Sequence, residues 1–359
     1  MAASLFSPLA FAHGPSMRNR VTLAPLTNKQ SHQDGTLSED EYQWLVYRAQ
    51  GGFGLTMTCA AYVHHSGKAF VGQLGIDDDK DLPGLARLAQ TINATGSLSA
   101  VQLHHGGMRA DPKVTGETLY APWNDAKTGA RALSTGEVQQ SIENFIEAGL
   151  RAERAGFHGV ELHGAHGYLL CEFLDAEHNM RTDQYGGSFE NRCRALLEVV
   201  AGLRARAGKD FQIGVRLSAE RFGIKLAEAR VLAQQLMLSG KIDYIDMSLW
   251  DVFKVPVEPE HAHKPLIAHF SELQRGTARL GVAGKIMSTA DANACLAHGV
   301  DFVLLGRAAI LHHNFPQRAQ KEPGFTSVAS PVTREYLRGQ RLGPAFIDYM
   351  KSFKDFVID

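Results

Sequence analysis

The sequence predicts an α/β protein in which residues 1–359 form a single (β/α)8 TIM barrel, with an N-terminal hairpin and a long loop insertion after the third strand. Eight short apolar runs alternate with longer stretches that carry apolar residues at helical spacing. The runs are apolar almost throughout, which is typical of parallel strands that are buried on both faces. The first run lacks the glycine-rich turn of an open nucleotide-binding sheet, and this favours the closed barrel.

The predicted strands are the eight apolar runs themselves. In chain order they cover residues 21–26, 53–60, 98–105, 159–165, 212–218, 244–250, 284–288 and 302–306. The first predicted helix is bounded by Ser38, a favourable N-cap, and by Gly51. The helices predicted between the strands cover residues 39–50, 81–95, 137–156, 189–208, 226–240 and 289–299.

Two segments lie outside this alternation. Residues 6–20, FSPLAFAHGPSMRNR, precede the first strand, and we expect them to form a short hairpin that closes the barrel floor. Residues 106–134 are a polar insertion after the third strand. Loops of this length in a compact domain are usually functional, so the insertion is expected to serve the site.

Composition excludes several classes of protein. Lys and Arg total 37 against 38 Asp and Glu, so neither a nucleic-acid-binding face nor attraction to anionic membranes is expected. No run reaches the roughly 18 apolar residues of a membrane span, and the first residues lack the basic leader of a signal peptide. The four cysteines are scattered without C-x-x-C spacing, so no metal site is predicted. We therefore expect a cytoplasmic protein.

In a barrel of this kind the chemistry belongs at the carboxyl ends of the strands. The segment VELHGAHGYLL, residues 160–170, places His163, His166 and Tyr168 at the end of the fourth strand. Arg216 lies within the fifth strand, where a buried charge needs a partner. No acid lies in that strand, so an electron-rich bound ligand is its expected partner.

A phosphate seat is expected after the last two strands. Ser288 and Thr289 open one helix, and Gly306 and Arg307 open the next. Helix N-termini present free N–H groups to anions, and an arginine adds a bidentate clamp. Taken singly, each of these features is also typical of structural packing: a His-x-x-His pair, a strand-end amide such as Gln102, or a lone barrel arginine. The functional interpretation depends on whether these residues meet at the same end of the barrel, where the strands have their carboxyl ends.

A long motif identifies a family. HGAHGYLLCEFLDAEHNMRTDQYGGSFENR, residues 163–192, closely resembles the signature of the old yellow enzyme family, the FMN-dependent ene-reductases. LFSPLAFAHGPSMRNRVTLAPLTN resembles that family's N-terminal hairpin and first strand. VQLHHGG, GVRLS and DFVLLGRAAI resemble its flavin-contacting segments, in the right order. The resemblance extends over essentially the whole chain.

The resemblance implies a role for each residue of the site. Thr27 would form a hydrogen bond with a flavin carbonyl, and Gln102 would pair with the pyrimidine edge of the flavin. Arg216 would face the flavin N1. Arg307 would hold the ribityl phosphate. The full set of expected FMN contacts is Ala24, Pro25, Leu26, Thr27, Cys59, Gln102, Arg216, Ser288, Thr289, Gly306 and Arg307.

The resemblance likewise implies the reaction. His163 and His166 would donate to the carbonyl or nitro oxygen of an activated alkene, and Tyr168 would supply the proton. Trp250 is expected to contact the substrate. The electron donor would be NAD(P)H, bound over the same flavin face in ping-pong order, and the chain would be an NAD(P)H-dependent flavin oxidoreductase. A homo-oligomer is left open.

Three positions differ from the family pattern. Many relatives place Asn where His166 stands, and both side chains can donate. Relatives usually have Gly in place of Thr289, and one subfamily has Cys at or near Thr27. A thiol that tunes the flavin is therefore not expected here.

Two other functions are weighed against this one. A metal-dependent barrel hydrolase would use some of the sixteen histidines, but such enzymes usually need His-x-His on the first strand, and VTLAPL has none. A non-redox barrel that binds FMN or a sugar phosphate would keep the phosphate seat. It would not need Tyr168 beside two hydrogen-bond donors.

Overall fold

The computed structural model describes residues 4–358, so the ends of the expected 1–359 domain, residues 1–3 and 359, lie outside the described residues. Eight parallel strands close into a barrel, in which the first strand pairs with both the second and the eighth. The predicted (β/α)8 architecture is confirmed. The strands, β1–β8 in chain order, are Val21–Leu23, Leu55–Tyr62, Leu98–His104, Gly159–Gly164, Gln212–Ser218, Tyr244–Ser248, Arg279–Ala283 and Phe302–Leu305.

One outer helix follows each strand. These helices, α1–α8, are Glu39–Gln50, Leu82–Ala94, Thr135–Arg154, Phe189–Arg206, Leu226–Leu238, Leu266–Ser271, Thr289–Ala297 and Arg307–Leu311. The helices α9–α11 beyond the barrel are Phe315–Lys321, Arg334–Gly339 and Pro344–Lys351. Short helices at Pro112–Thr115 and Leu169–Leu174 lie in the connections after β3 and β4. Ser38 caps α1 as predicted, accepting from the backbone N–H of Glu41.

The seventh strand is not where the sequence pattern placed it. The prediction of residues 284–288 is wrong, because the strand ends at Ala283 and the backbone then turns through Gly284 at φ 155° and Lys285 at φ 53°. Gly281 lies in the observed strand, Arg279–Ala283, and interrupts the run of apolar residues from which strands are predicted. It is required there, since a Cβ at that position would lie 2.4 Å from the Phe302 ring of β8.

Two other strands end at least two residues earlier than predicted. β1 ends at Leu23 rather than at residue 26. Pro25 follows closely and has no N–H to offer a ladder. β6 ends at Ser248 rather than at residue 250, because Trp250 adopts a left-handed backbone at φ 62°. Because both strands end early, the residues that follow them lie in loops at the barrel mouth.

The N-terminal hairpin closes the barrel floor as expected. Leu9 and Met17 form an antiparallel bridge, with N···O distances of 2.8 and 2.9 Å. Both side chains are buried in an inner core with barrel-lining residues such as Met57 and Phe302. A separate outer core packs the strands against the helices. The inner core therefore fills one end of the barrel and leaves the carboxyl ends of the strands as its open mouth.

The insertion after β3 has structure of its own. A short parallel pair joins Tyr120–Ala121 to Arg131–Ala132. A small buried cluster formed by Ala110, Leu119, Ala121 and Ala130 holds the insertion together. A second parallel pair, Val332–Thr333 with Val357–Ile358, fastens the C-terminal segment. In residues 4–358 no helix is both long enough and apolar enough to cross a bilayer.

Candidate active site

The two histidines and the tyrosine of the sequence motif meet at the end of β4. His163 is the fifth residue of that strand, and His166 and Tyr168 lie in the turn before the helix Leu169–Leu174. The His163 ring lies 5.0 Å from the His166 ring and 5.0 Å from the Tyr168 ring, measured between centroids. The turn is tight, with His166 at φ 64° and Gly167 at φ 71°. The predicted cluster therefore forms.

A third imidazole completes this cluster. His104, at the end of β3, has its ring 4.4 Å from Tyr168 and 5.6 Å from His163. The Gln73 side-chain amide lies 3.1 Å from His104 Nδ1 and fixes the ring. The sequence placed His104 at a strand end, but nothing local distinguished it from a packed core residue.

Burial keeps these imidazoles neutral. It lowers the pKa of His104 and of His166 to about 3, with further lowering from nearby positive charge. Burial also lowers the pKa of His163 well below its usual range, as do the other imidazoles of the cluster. At neutral pH each ring therefore carries one N–H donor and one acceptor.

Hydrogen bonds set which nitrogen donates. The backbone N–H of Ala165 points to His163 Nδ1 at 3.4 Å, which leaves Nε2–H as the donor of that ring. His166 Nε2 lies 2.8 Å from Ser248 Oγ, and Arg216 Nη2 donates to the same oxygen at 3.4 Å. The Ser248 hydroxyl can then donate to His166 Nε2, so that Nδ1–H is the free donor of His166.

Arg216 has protein partners, which corrects the expectation that only a ligand would balance it. Its Nε lies 3.0 Å from Asp246 Oδ2, on the neighbouring strand β6. Glu161, on β4 at the other side of Arg216, is also fully buried. The side chain still reaches the histidine cluster through Ser248. Two acids and one guanidinium thus form a buried network beneath the mouth.

Both acids of this network have raised pKa values. Burial raises the pKa of Glu161 to about 8, and repulsion from Asp246 adds to the shift. Burial also raises the pKa of Asp246 to about 6, although Arg216 lowers it. Gln102 Nε2 donates to Glu161 Oε1 at 2.8 Å. Glu161 Oε2 has no hydrogen-bond partner among the described residues. The network therefore orients both Arg216 and Gln102, two of the predicted cofactor contacts.

The segment after β1 is held by a buried acid. Glu41 of α1 accepts from Asn28 Nδ2 at 2.9 Å and from the Ser31 hydroxyl. These bonds fix the chain that follows Ala24, Pro25, Leu26 and Thr27. Gly306 lies against this segment, because a Cβ there would be 3.5 Å from Leu26 Cδ2. The predicted contacts from β1 and β8 are therefore neighbours.

Cys59 faces away from the mouth. It belongs to the outer core, its thiol lies beside Glu41, and burial raises the pKa of that thiol well above its usual range. Ala61 is also in the outer core, whereas Ala60 pairs in register with Gln102 across a bulge in β2. Side chains alternate along a strand, so Ala60 takes the inner face expected for Cys59. The bulge, which carries no local sequence signal, reverses the two positions.

The C-terminal helix α11 brings a residue that the sequence did not assign. Tyr349 lies beside Thr27 and Tyr168, and burial raises the pKa of its hydroxyl. The Lys29 ammonium lies 4.9 Å from the centre of the Tyr349 ring. About 320 residues separate Tyr349 from Thr27 in the chain, and no motif spans that distance.

The predicted phosphate seat is altered in detail. The capping box of α7 uses Asp291 to accept the backbone N–H of Ser288 at 3.0 Å. The N–H of Thr289 donates to Phe325 O at 2.9 Å. These two amides are therefore not free for an anion. Within residues 4–358 the buried Thr289 hydroxyl has no hydrogen-bond partner, and Arg307 is exposed at the start of α8.

Trp250 stands beside the histidine cluster. Its ring centroid lies 6.5 Å from that of His166, and half of its surface, 51%, is exposed. The expected substrate-contacting position is therefore at the mouth, on the segment that follows β6.

A model of the NADH:flavin oxidoreductase / NADH oxidase family matches residues 4–323. The chain is 35% identical over 331 residues to the probable NADH-dependent flavin oxidoreductase YqiG of Bacillus subtilis, covering 88% of each chain. It is 33% identical to an NADPH dehydrogenase of Bacillus pumilus, covering 94% of this chain and 99% of that one.

Other similarities are partial or structural. The chain spans about half, 49%, of the NADH oxidase of Thermoanaerobacter brockii, with 32% identity. The solved structure of the old yellow enzyme homologue from Zymomonas mobilis superimposes with a TM-score of 0.78 and 26% identity, covering 93% of this chain and 96% of that one.

Proposed function

Because this chain belongs to the NADH:flavin oxidoreductase family, the old yellow enzyme family, we propose that it reduces activated alkenes. Members use FMN with NAD(P)H as the electron donor, and this chain is such an oxidoreductase. The proposed substrates are enones, enals, maleimides and nitroalkenes. NAD(P)H and the alkene would bind in turn over the same flavin face, in ping-pong order.

The described residues fit FMN. Arg216 and Gln102 are polar side chains buried at the mouth. The hydroxyl of Thr289, the first residue of α7, has no hydrogen-bond partner among the described residues. Together with Thr27, Ala60 and Arg307 they would hold the flavin, its pyrimidine edge and its phosphate. When bound, FMN supplies hydride transfer between NAD(P)H and the alkene.

The observation that carries the proposal is the cluster of His163, His166 and Tyr168. Two neutral imidazoles with free N–H groups suit an oxygen that gains negative charge as hydride reaches the β-carbon of the alkene. In comparable sites the loss of one such donor costs about 10²–10³ in rate. Tyr168 Oη then provides the proton for the α-carbon.

The experiment uses the purified, FMN-loaded chain. NADPH or NADH should bleach the flavin absorption under anaerobic conditions, and an enone or maleimide should then restore it. Bleaching without restoration by any of the four alkene classes would reject the ene-reductase proposal. A yellow protein that NAD(P)H cannot bleach would favour the non-redox flavin binder.

A metal-dependent hydrolase has little support. In residues 4–358 the grouping with metal-ligand spacing is Glu258, Glu260 and His261, which shares no residue with the histidine–tyrosine cluster. A colourless preparation whose hydrolase activity needs an added metal would favour that alternative. The four free, buried cysteines support the proposal of a reducing, cytoplasmic location.

A further inference from the structure

Four residues with left-handed backbone surround the candidate site. They are His166 at φ 64°, Arg221 at φ 67°, Phe222 at φ 55° and Trp250 at φ 62°. Such conformations are costly for residues other than glycine, and they persist where surrounding structure enforces them, often at functional sites. The fold therefore holds an arginine and an indole in fixed positions beside the histidine cluster.

The turn that carries Arg221 is anchored from below. Arg221, Phe222 and Gly223 are all left-handed, and Ile224 N–H closes the turn on Arg221 O at 2.9 Å. Gly223 is pressed against Asp175, since a Cβ there would lie 2.0 Å from Asp175 Oδ1. The exposed Arg221 guanidinium then stacks over the Trp250 ring at 4.6 Å.

A second arginine approaches the same cluster from the insertion. Met108 N–H donates to the buried Glu172 carboxylate at 2.9 Å, which fixes the backbone next to Arg109. The Arg109 guanidinium donates to the backbone oxygen of His166 and lies 5.0 Å from the centre of the Tyr168 ring. Arg109 thus contacts the cluster directly, and Arg221 contacts Trp250 beside it, from two different connections.

Neither guanidinium forms an ion pair with any residue in 4–358; their contacts are the rings and the carbonyl already described. Nearby lysines are different. Lys254 pairs with Glu220, and Lys285 lies 3.1 Å from Asp251. The acid that faces Arg109 is Glu172, whose pKa is raised by burial well above its usual range. The charges of Arg109 and Arg221 are therefore not balanced by an ion pair within residues 4–358.

We propose that Arg109 and Arg221 bind a carboxylate that the alkene substrate carries beyond its activating oxygen. The inference rests on the proposed function and narrows its substrate class to acidic activated alkenes. A guanidinium fork matches a carboxylate in shape and charge. Trp250, exposed between Arg221 and His166, gives an apolar wall for the part of the substrate that joins the two groups.

The test compares two alkenes with the same reacting ring: N-(2-carboxyethyl)maleimide and its methyl ester. The FMN-loaded enzyme is reduced anaerobically, and reoxidation by each maleimide gives a rate constant and a half-saturation concentration. The wild type should favour the acid over the ester by about fivefold or more, as a partly exposed charge pair allows. The preference should shrink as salt is added.

Variants assign the preference to the two arginines. Arg221→Gln should raise the half-saturation concentration for the acid by about fivefold and leave that for the ester unchanged. Arg109→Gln should change both substrates, because Arg109 also contacts His166 and Tyr168, but it should raise the half-saturation concentration for the acid about fivefold more than that for the ester. Arg221→Lys should keep most of the preference. Lys209→Gln makes the same change in net charge in the exposed loop before β5, at the barrel floor, and should change neither maleimide.

Equal half-saturation concentrations for acid and ester in the wild type would overturn the inference and leave the proposed function intact. So would arginine variants that weaken reduction by NADPH alone, because the arginines would then serve the dinucleotide. If neither maleimide reoxidises a flavin that NADPH has bleached, the proposed function fails. Calorimetry with N-(2-carboxyethyl)succinimide then decides the inference, which equal affinities of wild type and Arg221→Gln would overturn.

Discussion

At the scale of single residues, Tyr168 is the proposed proton donor. Its ring contacts His163, His104 and Arg109, and Tyr349 lies beside it. The phenol is therefore positioned by three imidazole or guanidinium groups and by one residue of the C-terminal helix. None of these contacts uses its hydroxyl as a structural hydrogen bond within residues 4–358, so the hydroxyl remains available to a substrate.

Tyr168→Phe removes that hydroxyl and preserves the ring. We expect FMN binding and its bleaching by NADPH to be retained, and alkene reduction to slow by about 10²–10⁴, the usual contribution of a positioned acid. Anaerobic measurement of the two half-reactions separates these effects. Unchanged turnover of an enone would mean that the proton comes from another group.

Glu161 is a residue whose ionisation opposes folding. Its pKa is raised from 4.5 to about 8 by burial and by Asp246. The folded state thus keeps a proton that the unfolded chain loses, so stability is full below about pH 4.5 and declines as pH rises towards 8. The slope can reach at most about 1.4 kcal/mol per pH unit.

Glu161→Gln should remove this decline, because the amide cannot ionise. Urea unfolding of wild type and variant, at fixed excess FMN and at several pH values between 5 and 8, measures it. The variant should gain stability relative to wild type as pH rises. A difference that is constant over this range would show that Glu161 is already ionised in the folded protein.

At the scale of elements, one buried arginine joins three helices. Arg48 of α1 is fully buried and donates to Ala309 O of α8 at 3.2 Å and to Gln340 O, just after α10, at 2.7 Å. Its guanidinium also stacks on Trp44 at 4.3 Å. These bonds fasten the helix that begins at Arg307 to the first barrel helix, and so support the proposed phosphate site.

Arg48→Met keeps much of the volume and removes the donors. Buried carbonyls left without partners cost about 1–3 kcal/mol each, so the free energy of unfolding should fall by roughly 2–4 kcal/mol. Arg87→Met is the matched control, since Arg87 also stacks on an aromatic residue of α1, Tyr42, but its ion pair with Glu39 is exposed. The control should lose much less stability than Arg48→Met, because solvent screens its exposed ion pair. Equal losses in both variants would contradict the role given to Arg48.

A second element, the segment after β6, is tied to the barrel through charge. Glu220 is buried, pairs with Lys254 and accepts from the Val257 N–H at 2.9 Å. The segment nevertheless leaves Trp250, Phe253, Val255 and Val257 exposed. Its backbone is held in place while its apolar side chains face outward.

At the scale of the whole molecule, the residues that close the barrel floor and the residues of the candidate site lie at opposite ends of the barrel. The hairpin side chains of Leu9 and Met17 fill one end, and the polar site occupies the other. Met17 has no exposed surface and packs among residues of several strands. Met17 therefore stabilises the closed barrel as a whole and not any single strand or helix.

Met17→Ala should lower the free energy of unfolding by about 2–5 kcal/mol, as other large-to-small changes in cores do. The site lies at the far end, so bleaching of the flavin by NADPH should be unaltered. Urea unfolding and anaerobic reduction of the same preparation measure both. Impaired reduction in a fully folded variant would mean that the two ends are coupled.

The fold was predictable because its signals are local. Apolar runs and helical spacing identify strands and helices without reference to distant residues, and seven of the eight predicted strands overlap those of the structure. The exception, near Gly281, failed because a close approach between neighbouring strands required a glycine where the pattern needs an apolar side chain. His163, His166 and Tyr168 were predictable together because one turn carries all three.

By itself the sequence determined the barrel, its family and the histidine–tyrosine turn, since each is encoded within a short stretch of chain. Only the tertiary structure decided that Asp246 balances Arg216, that Tyr349 reaches Thr27, that Ala60 and not Cys59 faces the mouth, and that Arg109 and Arg221 border one site. The physical reason is that these contacts join residues from different strands and connections. Which side chains meet there depends on barrel closure, strand register and a bulge, and no local pattern records them.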